Sequence, residues 1–93
     1  MVVLICRIEL FLPAVASLKE KRHIVKSIIE RIRAKLNASV AETDLQDIWQ
    51  RAVIGVAMVS SDRTLLEQQL NLIKRIVDDN GEAELVEFIA EYV

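Results

Sequence analysis

Seven basic residues lie between Ser17 and Leu36: Lys19, Lys21, Arg22, Lys26, Arg31, Arg33 and Lys35. Only Glu20 and Glu30 oppose them, so this stretch carries +5 in a chain whose net charge is −2. The rest of the chain, by difference, carries −7. On a helix turning about 100° per residue, Lys19, Arg22, Lys26 and Arg33 share one narrow stripe. Arg31 and Lys35 fall on the opposite shoulder. Lys21 falls near the apolar face, where its stem can pack while its ammonium reaches outward. A stripe of unmatched cations suits a phosphate-tracking surface, because Lys and Arg displace the counterions of a nucleic-acid backbone. It equally suits a solvated face that keeps the chain in solution.

Other reactive side chains are few. Trp49, the single Trp, can stack on a planar base or pack over a sheet edge. Arg51 either extends the basic surface or pairs with Asp44 or Asp47. Glu42, Asp44 and Asp47 form a loose oxygen set without the spacing or the Gly of a calcium loop. Cys6 is the only Cys and His23 the only His. One Cys excludes an internal disulfide, an iron–sulfur cluster held by this chain alone and a Cys-rich zinc site. Cys6 reads as a buried thiol, and His23 has no nucleophile motif to serve. These residues predict no catalytic constellation, no cofactor and no metal.

The elements that carry these residues follow from periodicity. Val2–Leu12 alternates as a strand closed by Pro13, with Leu4, Cys6, Ile8, Leu10 and Leu12 on a core face. Ser17-Leu18-Lys19-Glu20 fits a capping box, and the apolar stripe that follows predicts a helix over Leu18–Leu36. A short strand over Ala38–Thr43, a polar turn over Asp44–Gln50 and a buried strand over Arg51–Ser60 read as a hairpin. Ser61 or Asp62 caps a second helix over Arg63–Asp79, stopped by Asn80-Gly81. Glu82–Val93 alternates as the last strand.

The order β-α-β-β-α-β, with right-handed crossovers, predicts an α+β ferredoxin-like sandwich. A four-stranded antiparallel sheet carries two helices on one face, in a single domain over residues 1–93. The 93 residues allow one core. Ferredoxin-like domains host many functions, but some fall away here. The inner strands lack the aromatics an RNA-recognition motif stacks on bases. No C-x-x-C marks a heavy-metal domain, and no Gly-rich loop follows the first strand. The uncovered sheet face is expected to present Val3, Ile5, Phe11, Leu85 and Ile89 with Arg7, Glu9, Glu87 and Glu91. Exposed apolar surface of this kind marks an interface. Val3, Ile5, Arg7, Glu9, Leu85, Glu87 and Ile89 are therefore the candidate self-association face, suited to an isologous homodimer. No segment approaches a membrane span, and no signal-peptide pattern is present, so a cytoplasmic location is expected.

Two segments carry a resemblance. Ser17-Leu18-Lys19-Glu20-Lys21-Arg22 and Gln46-Asp47-Ile48-Trp49-Gln50-Arg51-Ala52, with Val40–Glu42 between them and Ser60-Ser61-Asp62 after the third strand, resemble the YlxP-like family. These are small bacterial proteins of unknown function. The resemblance spans the whole chain. It implies a ferredoxin-like fold and a bacterial cytoplasmic setting. It also implies association with translation, since such proteins are often encoded beside translation-initiation and ribosome-maturation genes. It supplies no activity, cofactor or catalytic residue.

The combined expectation is a non-enzymatic protein that binds structured RNA or a ribosomal surface through its basic helix. Lys19, Lys21, Arg22, Lys26, Arg33, Trp49 and Arg51 are the candidate RNA- and phosphate-binding residues. The alternative is an assembly domain acting through the open sheet face.

Overall fold

Alternating and helical periods become six elements in the computed structural model, which describes residues 1–93. They are β1 (Val2–Phe11), α1 (Leu18–Lys35), β2 (Ser39–Asp44), β3 (Arg51–Ser60), α2 (Arg63–Asp79) and β4 (Glu84–Tyr92). The strands form one antiparallel sheet in the order β2-β3-β1-β4. This is the ferredoxin-like α+β arrangement that the element order predicts.

Local chemistry sets the helix ends. Ser17 Oγ accepts from the Glu20 amide at 3.1 Å, and Glu20 Oε2 accepts from the Ala16 amide at 2.7 Å. That is the capping box, displaced by one residue on its return bond. Asp62, rather than Ser61, caps α2 by accepting from the Thr64 and Leu65 amides. α2 stops where Asn80-Gly81 predicts, but Gly81 has no positive φ. Asn80 makes the turn instead. Its side-chain oxygen accepts from the Glu82 amide at 3.0 Å and its carbonyl from the Ala83 amide at 3.2 Å.

The core is one cluster. Leu4, Cys6, Ile8, Leu10 and Leu12 project from β1 and the residue beyond it, between Ile24, Val25, Ile28 and Ile32 of α1 and Leu66, Ile73, Ile76 and Val77 of α2. Each such side chain withdrawn from water contributes about 1.5–3 kcal/mol. Cys6 lies in this layer, and burial pushes its thiol up to about 11 against a weaker opposing pull from Lys74. It is a packing residue, as its alternation predicts.

Two bulges break the ladders. One lies in β2 between Glu42 and Asp44. The other shifts the β1–β4 register between Glu9 and Leu10, so Glu87 opposes Glu9 but Leu85 opposes Leu10. Simple alternation predicts Leu85 on the open face. The bulge instead sets it opposite a core-facing residue, and Glu84, opposite Phe11, joins Glu87 and Glu91 on the open face.

Gly55 in β3 is held free of a side chain by its neighbour. A Cβ there would lie 2.7 Å from Thr43 Cγ2. Gly55→Ala is therefore expected to lower stability by about 1–2 kcal/mol through overpacking, read from urea denaturation. Most of that loss should disappear in a Thr43→Ser background. An equal loss in both backgrounds would show that the close approach is not the cause.

Candidate functional site

Lys21 lies on the first turn of α1, one step toward the core from the basic stripe. Its side chain is fully buried. The Nζ donates to the Leu45 carbonyl at 2.5 Å and lies 3.0 Å from Glu42 Oε2. That oxygen is itself buried and is not aligned to accept a hydrogen bond, so charge attraction alone holds it. Burying an ammonium costs several kcal/mol unless a counter-charge and acceptors meet it. Glu42 and the Leu45 carbonyl meet both needs. Lys21 is thus removed from the expected phosphate contacts, because its ammonium faces inward.

The same bond organises the β2–β3 hairpin. Leu45 has φ 56°, the left-handed region that costs an ordinary side chain on the order of 1 kcal/mol. Its carbonyl accepts from Lys21 Nζ and from the Ile48 amide at 3.1 Å, while its own amide donates to Asp44 Oδ1 at 2.8 Å. Gln46 Nε2 donates to the Glu42 carbonyl at 3.2 Å. At the far end of the turn, the Leu12 amide donates to the Gln50 carbonyl at 2.8 Å and Gln50 Nε2 to the Pro13 carbonyl at 3.3 Å. The turn is tied on both sides, and Ile48 and Trp49 stand out from it. Trp49 is 52% exposed. Glu42, Asp44 and Asp47 do not converge on a metal, since Glu42 turns to Lys21 and Asp44 to the backbone.

The stripe on α1 splits between two hollows. Arg22, Lys26 and Arg33 line a groove of about 440 Å³ between α1 and β2. Lys19 borders a neighbouring hollow of about 420 Å³ with Glu20, His23 and Glu82. Arg33 Nη2 donates to the Val40 carbonyl at 2.5 Å, which fixes the far end of the groove. Lys26 approaches Glu30 only to 3.9 Å, with both side chains mostly in water, a pair worth little. Lys19 and Arg22 are exposed and have no carboxylate within ion-pair distance.

Arg51 does not extend this surface. It opposes Phe11 on the open face and pairs with Glu9, not with Asp44 or Asp47. Glu9, with only 9% exposure, also accepts from Arg7 at 3.3 Å, and Arg7 reaches Glu87 at 3.6 Å. Val3, Ile5, Arg7, Glu9, Glu87 and Ile89 share the open face, with Ile5 and Ile89 each 42% exposed. Sequence reasoning missed Val59, 53% exposed and opposite Val3 on that face. Its place in the alternation of the third strand carried that signal. Glu42 was also missed as the partner of Lys21, and no local pattern could have joined residues so far apart.

The chain is similar to proteins that carry no assigned activity. The family described as "Protein of unknown function (DUF503)" matches residues 3–89. A relative from Bacillus subtilis (strain 168), "Uncharacterized protein YlxP", is 43% identical over 68 residues, covering 73% of this chain and 74% of that protein.

Removing one member of the buried pair should be costly. Lys21→Ala is expected to lower stability by about 3 kcal/mol, because it strands a shielded carboxylate. Lys21→Met combined with Glu42→Leu should cost far less, since neither charge remains. Urea denaturation followed by the fluorescence of Trp49 measures both the loss and any loosening of the hairpin. A loss under about 1 kcal/mol in the single variant would remove Lys21 from this role.

Proposed function

The chain belongs to the DUF503 family of proteins of unknown function, and from that premise we propose that it is a non-enzymatic cytoplasmic RNA-binding protein. Its ligand is structured RNA, free or on a ribosomal surface. The phosphates lie along α1 over Arg22, Lys26 and Arg33, with Lys19 continuing the track. One observation carries the reading. Lys19 and Arg22 are exposed cations without internal partners on a helix of charge +5, and Arg22 shares its groove with Lys26 and Arg33.

Trp49 supports the same reading. The Lys21–Leu45 bond ties its turn to the first turn of α1, and its ring is exposed. An unpaired base in an RNA loop or bulge stacks on such a ring while the adjoining stem meets the cations. Lys21 and Arg51 hold the scaffold and make no contact with the RNA.

Retention of a structured RNA hairpin on filters, measured across salt concentrations, tests this. Arg22→Glu with Lys26→Glu should weaken binding at least about tenfold and flatten the salt dependence by roughly 1.4–1.8 in log–log slope. Trp49→Ala should weaken binding of a looped RNA without changing that slope. No retention at low salt, or equal retention by the charge-reversed variant, would overturn the reading.

A second reading rests on the open face. Val3, Ile5, Val59 and Ile89 form neighbouring apolar positions there, beside the Arg7–Glu9–Glu87 ion pairs. Two copies packed through this face would cover them. Sedimentation should then show a dimer that Ile5→Asp with Ile89→Asp reduces to a monomer, and a wild-type monomer at high concentration would remove this reading.

A further inference from the structure

The two edges of the sheet are treated differently. On β2 the ladder alternation turns the Val40 and Glu42 carbonyls away from β3. Both are occupied, Val40 by the Arg33 guanidinium and Glu42 by the Gln46 amide. Side chains of this kind are how a protein closes an edge against another strand. β4 has no such cover. The Val93 amide donates to the Val3 carbonyl, which fixes the alternation along β1. Glu87, Ile89 and Glu91 then bond inward to β1, and Phe88, Ala90 and Tyr92 turn their backbone groups outward. No backbone or side-chain group of the chain bonds to them. β4 holds no Pro and no Lys, and Val86 and Ile89 are 50% and 42% exposed.

The charges beside this edge are sorted by face. The bulge brings Glu84, Glu87 and Glu91 to the open face together. Arg7 serves Glu87, while Glu84 and Glu91 have no cationic partner. The helix face is different. Arg63 covers the Tyr92 ring at 3.8 Å and Lys74 the Phe88 ring at 4.7 Å. A strand added here meets carboxylates on one face and, on the other, aromatic rings already covered by cations.

We propose that the outer edge of β4 binds an extended protein segment whose residues alternate between basic and apolar. The segment adds a fifth strand. Its backbone pairs with the outward groups of Phe88, Ala90 and Tyr92. Its Lys or Arg side chains lie over Glu84, Glu87 and Glu91, and its apolar side chains lie on the helix face. Main-chain bonds supply affinity and the alternating side chains supply selectivity, as in other strand additions. A second copy does not fit. β2 and β4 carry five carboxylates and no basic residue between them, and like charges opposed across a ladder repel. This surface is separate from the α1 groove, so the inference does not depend on RNA binding.

A short fluorescent amidated peptide alternating Lys and Val tests the edge by anisotropy, beside the same peptide N-methylated at alternate amides. The first should bind and the second should not. Ala90→Pro removes an outward donor and leaves every bond to β1 in place, a change that edge strands tolerate. It should weaken peptide binding at least about tenfold with an unchanged circular dichroism spectrum. Glu84→Lys with Glu91→Lys should weaken it similarly and favour a peptide alternating Glu and Val. Arg22→Glu with Lys26→Glu should leave peptide binding no weaker. Equal binding of the methylated peptide, or full binding by a folded Ala90→Pro variant, would overturn the proposal. So would a dimer that Ala90→Pro alone dissolves, because the occupant would then be a second copy.

Discussion

A single buried ammonium joins the first turn of α1 to the turn between β2 and β3. Lys21 starts on a helix and ends on the carbonyl of a hairpin turn, with Glu42 as its counter-charge. Desolvating that ammonium is expensive, so the conformation in which its partners surround it excludes neighbouring alternatives. The ammonium meets the left-handed Leu45 in a turn that Asp44, Gln46, Ile48 and Gln50 also tie, with Trp49 exposed beyond it. Without it, the first turn of α1 and the β2–β3 hairpin would share only apolar packing, which is strong but not directional.

The remaining charges are arranged around this fixed point. On the helix side, cations lie beside the closed edge of the sheet, and one of them, Arg33, helps to close it. On the opposite edge, carboxylates line a strand whose outward backbone groups have no partner. The chain is therefore electrically divided across its width, although its net charge is only −2. Basic chemistry is offered beside the edge whose outward carbonyls are occupied, and acidic chemistry beside the edge whose outward groups have no partner.

Much of this was legible in the residues. The five apolar positions from Leu4 to Leu12 alternate without a break, and all five are core. The Ser17–Glu20 box starts α1 where it predicts. Arg22 and Lys26 are exposed where the helical angle puts them. Lys21 was legible only by halves. Its angle near the apolar face predicted a packed stem, but the destination of its ammonium lay 24 residues away, on Leu45. Arg51 was misread for the same reason. Asp44 and Asp47 are close in sequence, whereas Glu9 is close only across a strand ladder.

Residue order was enough to place the elements, their order and, outside β4, the face each buries, because side-chain period is a local property of the backbone. It also determined where the excess charge lies. Which charges are used internally is settled by how the elements pack. Lys21–Glu42 forms where α1 packs against β2, and Arg51–Glu9 where strand register brings the two side chains together. The structure also decided the sides of β4. One bulge shifts the register, moving Leu85 off the open face and bringing Glu84 onto it. A one-residue slip reverses every side chain beyond it, and nothing in the order of residues 84–92 announces where that slip falls.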